Sequence, residues 1–127
     1  MNLEKVVFGF FIILAFTLNF GFFIGEIDEP AHHNVYELFA AIVVNIIATL
    51  LKLGDRTQTG ALLLASSLVA VLQLIAAAVV WGYASHVHAD GMDAMFMASI
   101  VSLAGGAMVA NLISVLLLIA DTVALRR

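Results

Sequence analysis

Four amides lie where the surrounding chain is almost wholly apolar: Asn19, Asn45, Gln73 and Asn111. Hydrocarbon cannot satisfy an amide, so each must meet a polar partner or line a polar route. Measured from the centres of their apolar runs, Asn45 and Gln73 share one depth. Asn111 stands about 6 Å to one side and Asn19 a similar distance to the other. Two chemistries are open to such a ladder. Neutral oxygens at staggered depths can replace the hydration shell of a monovalent cation along an ion path. Alternatively, Asn45 and Gln73 bond each other as interhelical glue worth about 0.6 to 2 kcal/mol. No carboxylate stands at mid-depth among them, which argues against a proton relay.

A second group consists of the histidines, His32, His33, His86 and His88, which fall in two polar segments, EIDEPAHHN and SHVHADGMD. The run HVHAD places Asp90 at alternate spacing with an H-x-H pair, and imidazoles beside carboxylates suit a divalent metal such as Zn, Ni or Cu. Loop histidines also serve as solvated or pH-responsive groups. Cysteine is absent, so thiolate sites and disulfides are excluded. The sequence has no nucleophile with a paired base, no phosphate-binding loop and no dinucleotide fingerprint, so an enzyme is not expected, and nothing points to nucleic acid.

The elements that carry these groups follow from composition. Of 127 residues, 64% are hydrophobic and mean hydropathy is +1.13, far too apolar for a soluble domain of this size. A lipid bilayer is the expected solvent. Within it the long apolar runs must be helical, since lone strands and loops would leave backbone groups unpaired. The expected architecture is an all-α four-helix transmembrane bundle forming a single domain over 1–127, with helices at about 6–24, 35–53, 60–84 and 94–120. The first run holds seven phenylalanines between Val6 and Ile24. It exceeds a signal-peptide core in length and lacks a cleavage pattern, so it is read as a mature helix. Asn34 with Glu37 marks the start of the second helix, and Asp55 with Gln58 is the expected cap of the third.

All the basic residues, Lys5, Lys52, Arg56, Arg126 and Arg127, fall in the N-terminal head, the middle turn and the C-terminal tail. The positive-inside rule makes those segments, including both termini, cytoplasmic. Tyr36, Trp81 and Tyr83 then fall at the outer interface. The outer loops carry Glu26, Asp28, Glu29, Asp90 and Asp93 without a compensating base. Such a surface attracts cations, although outer loops also lack Lys and Arg for topological reasons alone.

In the fourth run, Ala98, Ser102, Gly106, Ala110 and Ser114 recur every four residues. A ridge of small side chains lets helix backbones approach closely in lipid, so Ser102, Gly106 and Ala110 are the expected packing residues, toward this chain or another copy. Asn45 precedes Asp55 by ten residues and Asn111 precedes Asp121 by ten, a spacing consistent with two helical hairpins related as a parallel repeat.

The run NVYELFAAIVVNIIATLLKLGDRTQTGALLLASSLVAVLQLIAAAVVW, with LNFGFFIGEIDEP before it, resembles a family of small proteobacterial inner-membrane proteins of uncharacterised function. The likeness covers most of the chain. It implies a bacterial inner-membrane location and an association with potassium uptake, and brings no catalytic motif. The TVGYG filter run of potassium channels is absent. Residues and resemblance together lead to a homo-oligomeric monovalent-cation channel or transport subunit, with a pathway where subunits meet. The competing readings are a non-conducting accessory or scaffold subunit of a larger transporter and an outer-face metal or pH sensor.

Overall fold

The computed structural model describes residues 3–125; Arg126 and Arg127, counted above among the cytoplasmic bases, lie outside the described residues. Four helices follow in order: α1 over Leu3–Phe23, α2 over Val35–Lys52, α3 over Gln58–Gly82 and α4 over Ala94–Leu125. A short 3₁₀ turn, Pro30–His32, leads into α2, and a π-helical turn, Tyr83–Val87, closes α3. No strand occurs among the described residues. All four helices are long and apolar enough to cross a membrane.

Helix α1 begins earlier, and α4 runs further, than its apolar stretch suggests. Glu4, Lys5 and Asp121 lie on them, and Lys5 Nζ meets an Asp121 carboxylate oxygen at 3.1 Å. Pairing these charges lets both helices continue past the hydrocarbon boundary. Each helix packs on its chain neighbours, and α1 closes the ring by packing on α4. The result is an up-down-up-down bundle with α1 and α2 joined at one end, called here the loop end. The α2–α3 connection and the described chain ends meet at the opposite, turn end.

Local signals set the breaks. Asn34 caps α2 by accepting from Tyr36 N at 2.8 Å. Gly25 and Gly54 adopt positive φ, +109° and +87°, just beyond the ends of α1 and α2, a conformation glycine reaches without a Cβ penalty. The cap of α3 differs from expectation: Thr57 Oγ1 accepts from Gly60 N at 2.9 Å. Asp55 instead accepts from the Thr57 backbone N–H and hydroxyl, at 2.9 and 2.7 Å. Its carboxylate therefore steadies the cap residue.

The core comes in two apolar clusters. The larger, toward the loop end, contains Phe22, Leu38, Leu74, Met97, Ile100 and Val101 with a set of alanines. The smaller, toward the turn end, joins Phe8, Ile12, Ala48 and Leu63. Side chains such as Leu72, Val79, Met95 and Leu116 point outward and are exposed. A bundle whose outer faces are as apolar as its interior belongs in lipid.

Candidate functional site

Between the two apolar clusters the bundle carries polar side chains. Asn45, Ser67, Asn111 and Ser114 are wholly buried there, and Thr49 nearly so. Contacts across the helix pairs fix their register. Ser66 Oγ meets Ser114 Oγ between α3 and α4. Along α1 and α4, Lys5 pairs with Asp121, the Gly9 position faces Leu118 and the Gly105 position faces Phe23. Along α1 and α2, the Lys52 ammonium sits 4.4 Å from the Phe8 ring centroid and the Glu37 carboxylate leans on Gly21. Stepping along the helices from these anchors brings Asn45 level with Ser67, and Asn111 about 3 Å closer to the loop end.

This register corrects the expected depths. Gln73 is level with Gly106, whose missing Cβ leaves room for the Gln73 amide. That places it about 9 Å loopward of Ser67 by the helical rise, so it does not share the level of Asn45. The cause is helix length: α2 has 18 residues and α3 has 25. They are aligned at the turn that joins them, so their midpoints are offset. Asn19 reaches Asn111 directly. With its amide oriented to suit its neighbours, its oxygen accepts from Asn111 Nδ2 at 3.1 Å and its nitrogen donates to Ala104 O at 3.2 Å.

The amides are polarised. Asn45 Nδ2 donates to Ala41 O at 2.8 Å, one turn back on its own helix, while Asn45 Oδ1 accepts nothing from the protein. Asn111 repeats the arrangement, its nitrogen engaged with Asn19 and its Oδ1 unpartnered. Ser67 Oγ and Gln73 Oε1 are buried without a protein partner as well. The interior therefore presents acceptor oxygens, with the amide nitrogens of Asn45 and Asn111 already committed. Ser67 was not among the residues singled out from sequence, because a serine in an apolar helix gives no sign of its partner until its burial is known.

The amides face the inside of one bundle. A route that uses Asn45 and Asn111 runs through the bundle interior, not along a seam between copies. The small-residue ridge does not form one face either. Ala110 and Ser114 are buried and Gly106 is half-buried against Gln73, but Ser102 is exposed. Steps of four residues advance 400° around a helix, so the row winds off the packed face.

At the turn end a pocket of about 260 Å³ is lined by Glu4, Lys5, Lys52, Asp55, Gly60 and Asp121 among others. Lys52 Nζ lies 3.7 Å from an Asp55 oxygen. The Thr57 hydroxyl, the Thr57 backbone N–H and the nearby Lys52 ammonium hold the Asp55 carboxyl below its ordinary range. The paired spacing noted in the sequence has a counterpart here: Asn45 and Asn111 lie in the buried layer, while Asp55 and Asp121 both line this pocket, each with its lysine.

Among the described residues no three His, Asp or Glu side chains gather to hold a metal. The histidine ring nitrogens serve the loops instead. His32 Nδ1 accepts from Glu26 N at 3.0 Å. His33 is buried, with Nδ1 2.5 Å from Phe22 O and Nε2 2.7 Å from Glu26 O. It ties the α1 C-terminus to the loop beyond it. His88 Nδ1 faces Gly91 O at 3.2 Å, and its ring packs against Tyr83 and Phe96; His86 is exposed. Of the loop acids, Glu26, Asp28, Glu29, Asp90 and Asp93 are all exposed. Glu29 and Asp93 each accept a backbone N–H, from Ala31 and Phe96.

A family described as a family of unknown function (DUF6394) matches residues 32–122. No curated protein and no solved structure matches the chain.

Proposed function

The chain belongs to this family of unknown function (DUF6394), and from that premise and the interior of its bundle we propose that it passes monovalent cations across a membrane. What supports the reading is the run of buried acceptor oxygens, Asn45 Oδ1, Ser67 Oγ, Asn111 Oδ1 and Gln73 Oε1, none engaged by the protein. Oxygens of this kind stand in for a cation's hydration shell. Apolar clusters close the layer on both sides, so passage requires a conformational step and resembles a gated or alternating route more than an open pore.

The membrane would be a bacterial inner membrane, with the turn end and both termini cytoplasmic by the distribution of basic residues. The acidic loops then face outward, where they raise the local concentration of cations. Potassium is the leading ion on the family resemblance. Association into a homo-oligomer would shield the exposed Ser102 and neighbouring small residues of α4.

Purified protein in liposomes provides the test. A potassium gradient should collapse through protein-containing vesicles and persist in empty ones, and a gradient that persists in both refutes the proposal. A second reading, a non-conducting subunit of a larger transporter, draws on exposed Ser102. It requires silence in liposomes together with copurification of one membrane partner that Ser102→Leu removes.

A further inference from the structure

We infer that Asn45 Oδ1, Ser67 Oγ and Asn111 Oδ1 form an occluded binding site for one dehydrated monovalent cation, midway between the two apolar clusters. The inference builds on the passage reading above, and its test separates the two. All three side chains are wholly buried and all three oxygens lack a protein partner. They come from three helices, α2, α3 and α4, and the interhelical contacts bring them to within about 3 Å of one level.

The occupant's charge follows from which atoms remain open. Asn45 Nδ2 is committed to Ala41 O and Asn111 Nδ2 to Asn19. Of the three groups, an anion would therefore meet a donor only in the Ser67 hydroxyl. The Ser67 hydroxyl has one hydrogen and can serve one amide oxygen, which leaves the other as a buried acceptor without a donor, a costly state in a medium of low dielectric. A cation satisfies all three oxygens at once. A divalent ion is disfavoured, since hard divalent ions take carboxylates and the nearest in α2 and α4 are Glu37, eight residues from Asn45 toward the loop end, and Asp121, ten residues from Asn111 at the turn end. Neutral oxygens without a formal charge suit an ion of low charge density. The touching hydroxyls of Ser66 and Ser114 border the same level and can turn a lone pair toward it.

The test is thermal unfolding of the full-length protein in detergent, titrated with potassium chloride or sodium chloride against N-methylglucamine chloride at constant ionic strength. A saturable rise in the midpoint with one of the alkali ions, absent with the bulky cation, is the expected result. Ser67→Ala should weaken the apparent affinity roughly tenfold, equivalent to about 1.4 kcal/mol, and Asn45→Leu should abolish the rise. Equal midpoints in all three salts overturn the site and leave an internal water in its place. So does an unchanged titration in Ser67→Ala, a substitution small enough to keep the fold. Saturable binding without liposome flux upholds the site and refutes passage. Liposome flux by a protein whose midpoint is equal in all three salts upholds passage and refutes the site.

Discussion

Asn45 separates chemistry from stability at the scale of a single residue. Its nitrogen bonds only to its own helix and its oxygen to nothing in the protein, so Asn45→Leu, which keeps the branch at Cγ, removes an unsatisfied acceptor. The variant should unfold within about 1.5 kcal/mol of the parent in reversible detergent denaturation, while cation flux falls to the level of empty vesicles. A large loss of stability would instead mark Asn45 as glue. His33 behaves in the opposite way. Its ring joins Phe22 O and Glu26 O, so His33→Leu strands these acceptors and should cost about 1–3 kcal/mol in the same measurement. The amides were legible from sequence because a polar side chain stands out in an apolar run. Ser67 was not, because its importance comes from burial, and His33 stood out only as a metal candidate, because its bonds go to backbone carbonyls of Phe22 and Glu26.

Helix ends and helix lengths decide what the elements contribute. The turn at Asp55 and Thr57 fixes where α3 begins, and because α3 is aligned to α2 at that turn, it also fixes which residues of α3 meet Asn45. Thr57→Ala should therefore lower stability by about 1 kcal/mol, read in detergent unfolding. Asp55 adds a pH dependence. Its carboxyl is held below the ordinary value of 3.8, first by the Thr57 hydroxyl bond. A group whose acidity is raised by folding contributes stability above its unfolded pKa and loses it as pH falls through the folded one. The unfolding midpoint should thus decline as pH drops from about 5 into the acid range, and Asp55→Asn should flatten part of that decline. An identical acid limb in the variant would show that the cap does not depend on the charge. The four helices were legible because apolar runs in lipid have little alternative to helix. Their relative depth was not, because sequence gives each run its own midpoint, while the bundle aligns runs of 18 and 25 residues at a shared turn. The α4 ridge divides for a related reason: a four-residue repeat winds around the helix, which leaves Ala110 and Ser114 buried within the bundle and Ser102 exposed.

For the whole molecule, the distinctive feature is a buried polar layer held between two apolar clusters within one bundle. Bundle architecture and membrane character could be read from hydropathy alone. Whether the amides faced inward or toward another copy could not, because an apolar helix in lipid shows no amphipathic stripe to orient it. Orientation across the membrane rests on the basic residues, and the cysteine-free sequence makes it accessible to labelling. Arg56→Cys should react with an impermeant thiol reagent only from the cytoplasmic side and His86→Cys only from the outside. The same background allows the most direct test of a route through the bundle interior, which is block of cation flux by silver ion, a thiophilic monovalent cation, in Ser67→Cys and Ser102→Cys proteins. Flux should be lost in Ser67→Cys and unaffected in Ser102→Cys, whose side chain lies on the outside of the bundle. Block at Ser102→Cys with Ser67→Cys insensitive would place the route between copies and contradict the account.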